Sequence, residues 1–202
     1  GNGQRELAEA GVGLRSVTAG RVAIDGVDVT GMHPSRVRAA GLAYVPEERM
    51  RDGVVAEFSV AENLILVDHY RPPFCRRGLL RLGAIADHCR DLVERVMVKT
   101  PTLDTPAGNL SGGNIQKLIL ARELSSEPGV LLASQPTRGV DIGAAEYIHR
   151  RLIEERGRGA AVLVISEDLD EVLALSDRIA VMSEGRILAV MDRDGGTIQR
   201  IG

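Results

Sequence analysis

The stretch Leu110–Lys117 reads LSGGNIQK, and the prediction of the fold starts from it. Two adjacent glycines let a backbone come close to an anion. A helix is expected to begin near Asn114, and its free N–H groups and positive dipole end would point toward such an anion. Ser111 adds a hydroxyl donor. A serine-capped helix after a glycine turn can have the same residues without any function, so the surrounding chain has to support the interpretation.

The surrounding chain alternates strands with helices, which is typical of an α/β core with a mainly parallel sheet. Apolar side chains recur at helical spacing between Ala84 and Val96, which predicts a helical middle. We therefore expect a small β region first, a helical insert next and the rest of the core last. The predicted strands and helices outside the insert are Arg21–Ile24, Leu42–Val45, Val130–Ala133, Ala144–Glu155, a buried strand Ala161–Ser166, Leu169–Leu175, and a hairpin of Ile179–Met182 with Arg186–Val190.

Composition restricts the classes of protein that the chain can belong to. The 202 residues are enough for one domain with a buried core, and the net charge of −3 gives no sign of a nucleic-acid partner. No apolar stretch approaches the ~20 residues of a membrane-spanning helix. The two cysteines favour a reducing cytosol over a disulfide framework. Two histidines accompany them, but the spacing fits no common zinc pattern, so no metal site is predicted for His69, Cys75, His88 and Cys89.

Further segments lie in register with the glycine-containing stretch. Gln135–Asp141 (QPTRGVD) follows the apolar strand that ends at Ala133, and Gly1–Arg5 (GNGQR) precedes the first helical segment. Together with Leu110–Lys117, they resemble the D-loop, the phosphate-binding loop and the signature motif of ATP-binding-cassette (ABC) ATPases. The resemblance implies a P-loop NTPase core with a mainly parallel sheet, a small antiparallel region and an inserted helical subdomain.

The resemblance also implies that this chain has lost the chemistry of its own ATP site. In the family, the strand before the D-loop ends in Asp, which supports Mg²⁺, and Glu, which polarises the attacking water; here Ser134 and Gln135 stand there. Gln4 and Arg5 replace the Lys and Ser/Thr of the phosphate loop. Glu47 occupies the place of the Q-loop glutamine, and Glu167 that of a histidine which contacts the γ-phosphate. No catalytic residue is therefore expected to be intact.

The signature and Asp141 of the D-loop are kept, so the losses are selective. ABC domains pair head to tail, and each ATP lies between one phosphate loop and the other domain's signature. The resemblance thus implies that this chain lends its signature to ATP and Mg²⁺ bound on a partner cassette. The residues expected to contact nucleotide at either site are Gly1, Asn2, Gly3, Gln4, Arg5, Ser111, Gly112, Gly113, Asn114, Gln116 and Asp141.

The whole chain, residues 1–202, is similar to the second cassette of fused two-cassette ATPases from bacterial importers. QPTRG at 135–139 and SEDLDE at 166–171 lie closer to the nucleoside branch than to the ribose and galactose branch. We expect a single nucleotide-binding domain that starts inside the phosphate loop, with a helical subdomain at 59–125. The partners implied are an N-terminal or second cassette, permease subunits and, indirectly, a substrate-binding lipoprotein, at the cytoplasmic face of the plasma membrane.

Two other functions remain open from the sequence. A soluble ABC ATPase of DNA repair would carry a long coiled coil between Glu47 and Ser111, and no sustained heptads occur there. A translation factor would show a basic surface, which the net charge of −3 does not support. A non-enzymatic interaction module is the other alternative. A complete cassette with an intact phosphate loop before Gly1, together with a permease gene nearby, would decide for the importer.

Overall fold

Helices and strands alternate along the computed structural model, which describes residues 2–193. The helices are α1 (Gln4–Gly11), α2 (Pro34–Ala39), α3 (Val60–Ile65), α4 (Leu82–Val96), α5 (Gly112–Leu124), α6 (Ile142–Gly157) and α7 (Leu169–Leu175). The strands are β1 (Ala23–Ile24), β2 (Val27–Asp28), β3 (Leu42–Val45), β4 (Cys75–Arg76), β5 (Leu79–Leu80), β6 (Val130–Ser134), β7 (Ala161–Ile165), β8 (Arg178–Ser183) and β9 (Arg186–Asp192). A π-helical turn covers Arg49–Gly53, and a 3-10 turn covers Ala107–Asn109.

The chain divides into two compact units. The first comprises the chain up to Tyr44, Pro128–Pro136 and the chain from His149 onward. Its main sheet has the order β3-β6-β7, and β6 runs parallel to β7 in the register Val130↔Ala161 to Ser134↔Ile165. The pairs β1-β2 and β8-β9 are antiparallel. The predicted α/β class with a parallel sheet and small antiparallel strands is confirmed.

The core of the first unit is built by α1, α2 and the strands next to them. Ala8 is the buried residue of α1, and its small side chain lets α1 pack closely against β6. The buried side chains of this cluster are Ala8, Val12, Ile24, Val29, Val37, Leu42 and Leu132.

The second unit comprises Val45–Glu127 and Thr137–Ile148. Its helices α3, α4 and α5 pack on one another. Ser59 and Glu62 form a reciprocal capping box that fixes where α3 begins. Helix α4 buries Ile85, Cys89, Leu92 and Val96 of the predicted stripe, while Val93, its fifth member, is half-buried. The predicted helical subdomain, residues 59–125, lies within this unit, which also includes residues 45–58 and 137–148. The limits of the subdomain itself stay a prediction.

Two predicted strands differ from the observed ones. The strand expected at 21–24 is reduced to β1, because the Val22 amide donates to the Thr30 hydroxyl at 2.8 Å rather than to a neighbouring strand. The sequence predicts that β7 is a buried strand. In the structure it is partly exposed, and Leu163 is 47% exposed. Within residues 2–193, β7 pairs on one edge only. An apolar run alone does not reveal how many neighbours a strand has.

An apolar cavity of about 610 Å³ lies along β7 within the first unit, lined by residues that include Leu7, Leu163, Leu175 and Ile179. Helix α7 and the β8-β9 hairpin agree with the prediction, and Glu184-Gly185 forms the hairpin turn with φ of 48° and 75°. Over the described part of the chain, no helix has both the length and the apolarity needed to span a bilayer.

Candidate functional site

The signature segment, Leu110–Lys117, lies at the start of α5. Ser111 is the N-cap, with extended backbone, and its Oγ accepts hydrogen bonds from the Asn114 amide at 3.4 Å and from Asn114 Nδ2 at 2.9 Å. The helix begins at Gly112, two residues earlier than expected. Ser111 therefore caps α5 through its oxygen, which leaves its hydroxyl hydrogen available to donate. The first N–H groups of α5 have no partner inside the helix, as at any helix N-terminus.

The two glycines of the signature segment have different surroundings. A Cβ on Gly112 would lie 3.5 Å from Arg49 Cζ and 3.6 Å from the Gly139 carbonyl oxygen, which is ordinary contact. A Cβ on Gly113 would lie 2.9 Å from Asp141 Oδ2 and 3.0 Å from Ala144 Cβ. Gly113 thus permits close packing between α5 and α6, whereas Gly112 has room for a Cβ at ordinary contact distance.

Asp141 connects the D-loop to α6. Its Oδ1 accepts a hydrogen bond from the Ala144 amide at 2.9 Å, which is the geometry of a helix N-cap. The carboxylate also lies against Gly113. Asp141 therefore sets the position of the α6 start relative to the first turn of α5.

Two arginines complete this cluster, and the sequence analysis did not identify either of them. Arg49 Nη2 donates to the Gly139 carbonyl at 3.1 Å. Arg138 Nη1 pairs with Glu47 Oε1 at 2.5 Å, so Glu47 serves as a partner for a D-loop cation. The signal available in the sequence was two acids and one base in EER at 47–49 and one base in TRG at 137–139. It does not specify the pairing.

The other predicted residues of the signature segment, Asn114 and Gln116, have different surroundings. Asn114 Oδ1 accepts a hydrogen bond from the Lys99 amide at 2.9 Å. Gln116 is 2% exposed and Ile115 is 3% exposed, so both belong to the core of the second unit. The structure therefore groups Ser111, Gly112, Gly113, Asn114 and Asp141, and it buries Gln116 away from the helix start.

Three of the predicted degenerate residues form a separate group at the carboxyl ends of β6 and β7. The Gln135 amide donates to the Ile165 carbonyl at 2.7 Å, and Gln135 Oε1 accepts from the Glu167 amide at 3.3 Å. Gln135 adopts a left-handed φ of 49°. Ser134 is 4% exposed, and its buried Oγ has no hydrogen-bond partner in the described structure. The structure thus brings together Ser134, Gln135 and Glu167.

The segment after β7 is organised by capping. The carboxylate of Asp168 accepts hydrogen bonds from the amides of Asp170 and Glu171, and Ser166 Oγ accepts from the Asp168 amide at 3.0 Å. Asp168 is therefore the N-cap of α7.

The N-terminal loop is held by its own side chains. Gln4 Oε1 accepts from the Asn2 amide at 3.0 Å, and the Asn2 carbonyl accepts from the Gly185 amide at 2.8 Å. Gly3 caps α1 with a φ of +98°. Arg5 Nε donates to Glu9 Oε1 at 2.8 Å, and this bond lowers the pKa of Glu9. Gln4 and Arg5 are therefore engaged locally, and Gly1 lies outside the described residues.

The two groups differ in the chemistry that they offer. The signature group presents a hydroxyl, helix N–H donors and a guanidinium, which suit an anion. The group at β6 and β7 presents neutral Ser134 and Gln135 where a hard cation would need carboxylates. No cluster of three or more metal-binding side chains occurs between residues 2 and 193.

Comparison with protein families gives a match over most of the chain. A family model described as ABC transporter matches residues 1–138. Two solved structures share the fold. They are a dimeric bacterial ABC transporter cassette, with a TM-score of 0.80 and 20% identity over 96% of this chain and 82% of that one, and a nucleotide-free ATP-binding cassette, with a TM-score of 0.76 and 24% identity over 99% and 79%.

Curated relatives are similar over 100% of this chain. They include the nucleoside import ATP-binding protein NupA of Lactococcus lactis subsp. cremoris at 46% identity and the guanosine import ATP-binding protein NupO of Bacillus subtilis at 42%. The ribose import ATP-binding protein RbsA of Oceanobacillus iheyensis is 37% identical. The chain spans 40% of the length of each of these three relatives.

Proposed function

The chain belongs to the ABC transporter family of ATP-binding domains, and from this premise we propose that it is the C-terminal cassette of a two-cassette importer ATPase. In this role it completes the ATP site of the other cassette and does not hydrolyse ATP at its own. The proposed cargo is a nucleoside or a related sugar, because the relatives are named for nucleoside, guanosine and ribose import. The proposed partners are permease subunits and, indirectly, a substrate-binding lipoprotein. The proposed location is the cytoplasmic face of the membrane.

The observation that carries the proposal is the arrangement at the N-terminus of α5. Ser111 is the N-cap, and a Cβ on Gly112 would meet Arg49 and the Gly139 carbonyl only at ordinary contact distance. An anion at this helix start would meet N–H donors and the positive charge of Arg49. The Asp141 carboxylate holds the neighbouring start of α6 by accepting a hydrogen bond from the Ala144 amide, so the surface is organised before any ligand arrives.

ATP held by the partner cassette supplies the phosphate bond whose cleavage drives transport. Ser111 of this chain donates its hydroxyl hydrogen to the γ-phosphate, and the Gly112 backbone approaches the same oxygens. Gly113 keeps α5 close to α6, because only a hydrogen fits between its Cα and Asp141. Asn114 supports Ser111 through its side-chain amide.

The chain's own site does not fit a magnesium-loaded triphosphate. Ser134 and Gln135 bring no charge to a metal, and Gln135 cannot accept a proton as a glutamate would. Gln4 is bonded to the Asn2 amide and Arg5 to Glu9, so neither extends freely toward a phosphate. Glu167 would repel the nucleotide. We therefore assign no chemical step to this group.

Replacement of Gly112 by Asp in the full-length protein tests the proposal. The Cβ fits without a clash, so the fold should survive, but the carboxylate places negative charge where the phosphate would bind. We expect ATP turnover of the reconstituted transporter to fall by about a hundredfold or more, with loss of transport. The measurement is phosphate release and cargo uptake in proteoliposomes.

Gly112→Ala is the matched control, because it adds the same Cβ without charge. We expect its ATP turnover to stay well above that of Gly112→Asp. Equal loss in both variants would assign the effect to bulk at the loop rather than to charge. A fully active Gly112→Asp transporter would contradict the proposal and leave the chain as a non-enzymatic interaction module.

A further inference from the structure

A short hairpin in the second unit has side chains that the ATP sites do not use. Strands β4 and β5 pair in the register Cys75↔Leu80 and Arg76↔Leu79. Arg77 and Gly78 form the turn, with φ of 53° and 78°, which is the type I′ pattern that joins two-residue hairpins. The Arg81 amide donates to the Phe74 carbonyl at 2.8 Å and closes the base. We call Cys75–Leu82 the arginine-leucine hairpin.

Three leucines of this hairpin face solvent. Leu79 is 75% exposed, Leu80 is 50% exposed, and Leu82, the first residue of α4, is 72% exposed. Leu79 and Leu80 lie on opposite faces of the two-stranded hairpin, so each face carries an exposed leucine. Three exposed leucines within four positions lower their free energy when an apolar phase surrounds the hairpin.

The same hairpin carries three arginines, at positions 76, 77 and 81, and all are exposed. Among residues 2–193, none of the three takes part in an ion pair, although most arginines of the chain do. The net charge of the whole chain is −3, so this positive segment contrasts with its background. Arg76 and Leu79 are cross-strand neighbours and lie on the same face of the hairpin.

The hairpin is anchored at its base and free at its tip. Phe74 is 7% exposed, and its ring centroid lies 4.8 Å from that of His88 on α4. Cys89, the next residue on α4, is fully buried. The exposed leucines are therefore not a loosely packed part of the core. They are held outward by a fixed turn on an anchored base.

We propose that the arginine-leucine hairpin binds the anionic lipid surface of the membrane. This inference rests on the proposed function only because it requires the chain to work beside a bilayer. The leucines enter the boundary between headgroups and acyl chains, while the arginines donate hydrogen bonds to lipid phosphates. Guanidinium groups suit phosphate by their fork of donors. A second copy of the chain fits less well, because it would bring like charges together.

Flotation of the purified full-length protein with vesicles, without nucleotide, tests the inference. Vesicles of phosphatidylcholine alone are compared with vesicles that also contain phosphatidylglycerol. We expect binding to the anionic vesicles only, and weaker binding at high salt. Arg76→Gln with Arg77→Gln should lower the partition coefficient by about fivefold per arginine. Leu79→Ser with Leu80→Ser should lower it by at least about tenfold.

Matched controls use exposed residues elsewhere in the chain. Ile187→Ser with Leu188→Ser removes two exposed apolar side chains from β9, and Arg36→Gln removes an exposed arginine from α2. Circular dichroism confirms that each variant folds. Binding that these controls reduce as much as the hairpin variants do would overturn the inference, as would equal binding to neutral vesicles.

Two further outcomes would also overturn it. Association only with vesicles that contain the permease would assign the hairpin to a protein partner. Concentration-dependent dimerisation that the leucine variant abolishes would assign it to a second copy. Because the assay contains no nucleotide, its failure would leave the proposed role of the signature untouched, and loss of that role would leave lipid binding measurable.

Discussion

At the residue scale, Gly112 and Gly113 show that adjacent glycines can have unrelated roles. The space at Gly112 accommodates a methyl group, while the space at Gly113 is filled by Asp141 and Ala144. A methyl group therefore fits at the first position and overpacks the second. A functional test at this motif has to separate these two effects.

We expect Gly113→Ala to destabilise the protein by about 1–3 kcal/mol, because overpacking forces α5 and α6 apart. Gly112→Ala should change the free energy of unfolding by less than about 1 kcal/mol, since its Cβ makes ordinary contacts and alanine favours the helix. Chemical denaturation of both variants measures the difference. Equal stability of the two would show that the contact at Gly113 is not rigid.

At the scale of elements, Arg49 links the π-helical turn Arg49–Gly53 to the D-loop. It donates to the Gly139 carbonyl and lies beside the Gly112 backbone, so one side chain contacts the D-loop and the signature segment. It is a positioning residue in this arrangement. A hydrogen bond of this kind contributes only about 1 kcal/mol to stability, so its loss is tolerated by the fold.

We expect Arg49→Ala to lower the kcat of ATP turnover in the assembled transporter by about tenfold while the Tm changes little. Arg49→Lys should restore part of the rate, because lysine keeps the charge and can still reach the carbonyl, although it lacks the planar fork. Steady-state kinetics and thermal unfolding of both variants are the measurements. A fall in Tm that accounts for the whole loss of rate would make Arg49 merely structural.

The base of the arginine-leucine hairpin makes stability depend on pH. Burial lowers the pKa of His88 below its usual 6.5, against the opposing effect of Asp91. The unfolded chain therefore takes up this proton at a higher pH than the folded chain does. The contribution of neutral His88 to the free energy of unfolding is fully present above about pH 6.5. It is lost as the pH falls toward the lower pKa of the folded state.

We expect His88→Phe to flatten the fall in Tm below about pH 6.5, because phenylalanine keeps a ring against Phe74 and cannot be protonated. The measurement is thermal unfolding across a pH series. His69→Gln is the control, since it removes an exposed histidine without touching the Phe74 contact. An unchanged pH dependence in His88→Phe would show that the ring contact does not control this titration.

At the scale of the whole molecule, the two groups of candidate residues occupy different units. The signature group lies in the second unit, and Ser134, Gln135 and Glu167 lie in the first. The proposed division of labour assigns the partner's ATP to the group in the second unit and the lost chemistry to the group in the first.

We expect the purified chain alone to release phosphate from ATP far below about 1 per second, an ordinary enzyme rate. Gln135→Glu should not restore turnover, because Ser134 still offers no charge to a metal and Gln4 remains bound to the Asn2 amide. A phosphate-release assay with magnesium measures both. Magnesium-dependent turnover at an ordinary rate in the unaltered chain would contradict the proposed loss of its own site.

Local features of the sequence were sufficient to predict much of the fold. The capping residues Ser111 and Asp168, the apolar spacing of α4 and the Glu184-Gly185 turn act over a few residues, so the chain itself determines them. The sequence also determined which residue types stand at Ser134 and Gln135, and hence which chemistry is missing there.

Only the tertiary structure decided the contacts between distant segments. Arg49 and Gly139 lie 90 residues apart, and no short-range pattern predicts their hydrogen bond. The different surroundings of Gly112 and Gly113 depend on where α6 begins relative to α5. The exposure of β7 and of the leucines at 79, 80 and 82 depends on which neighbours cover them. Such contacts arise when whole helices and strands pack together, and the sequence of one segment does not specify which other segments pack against it.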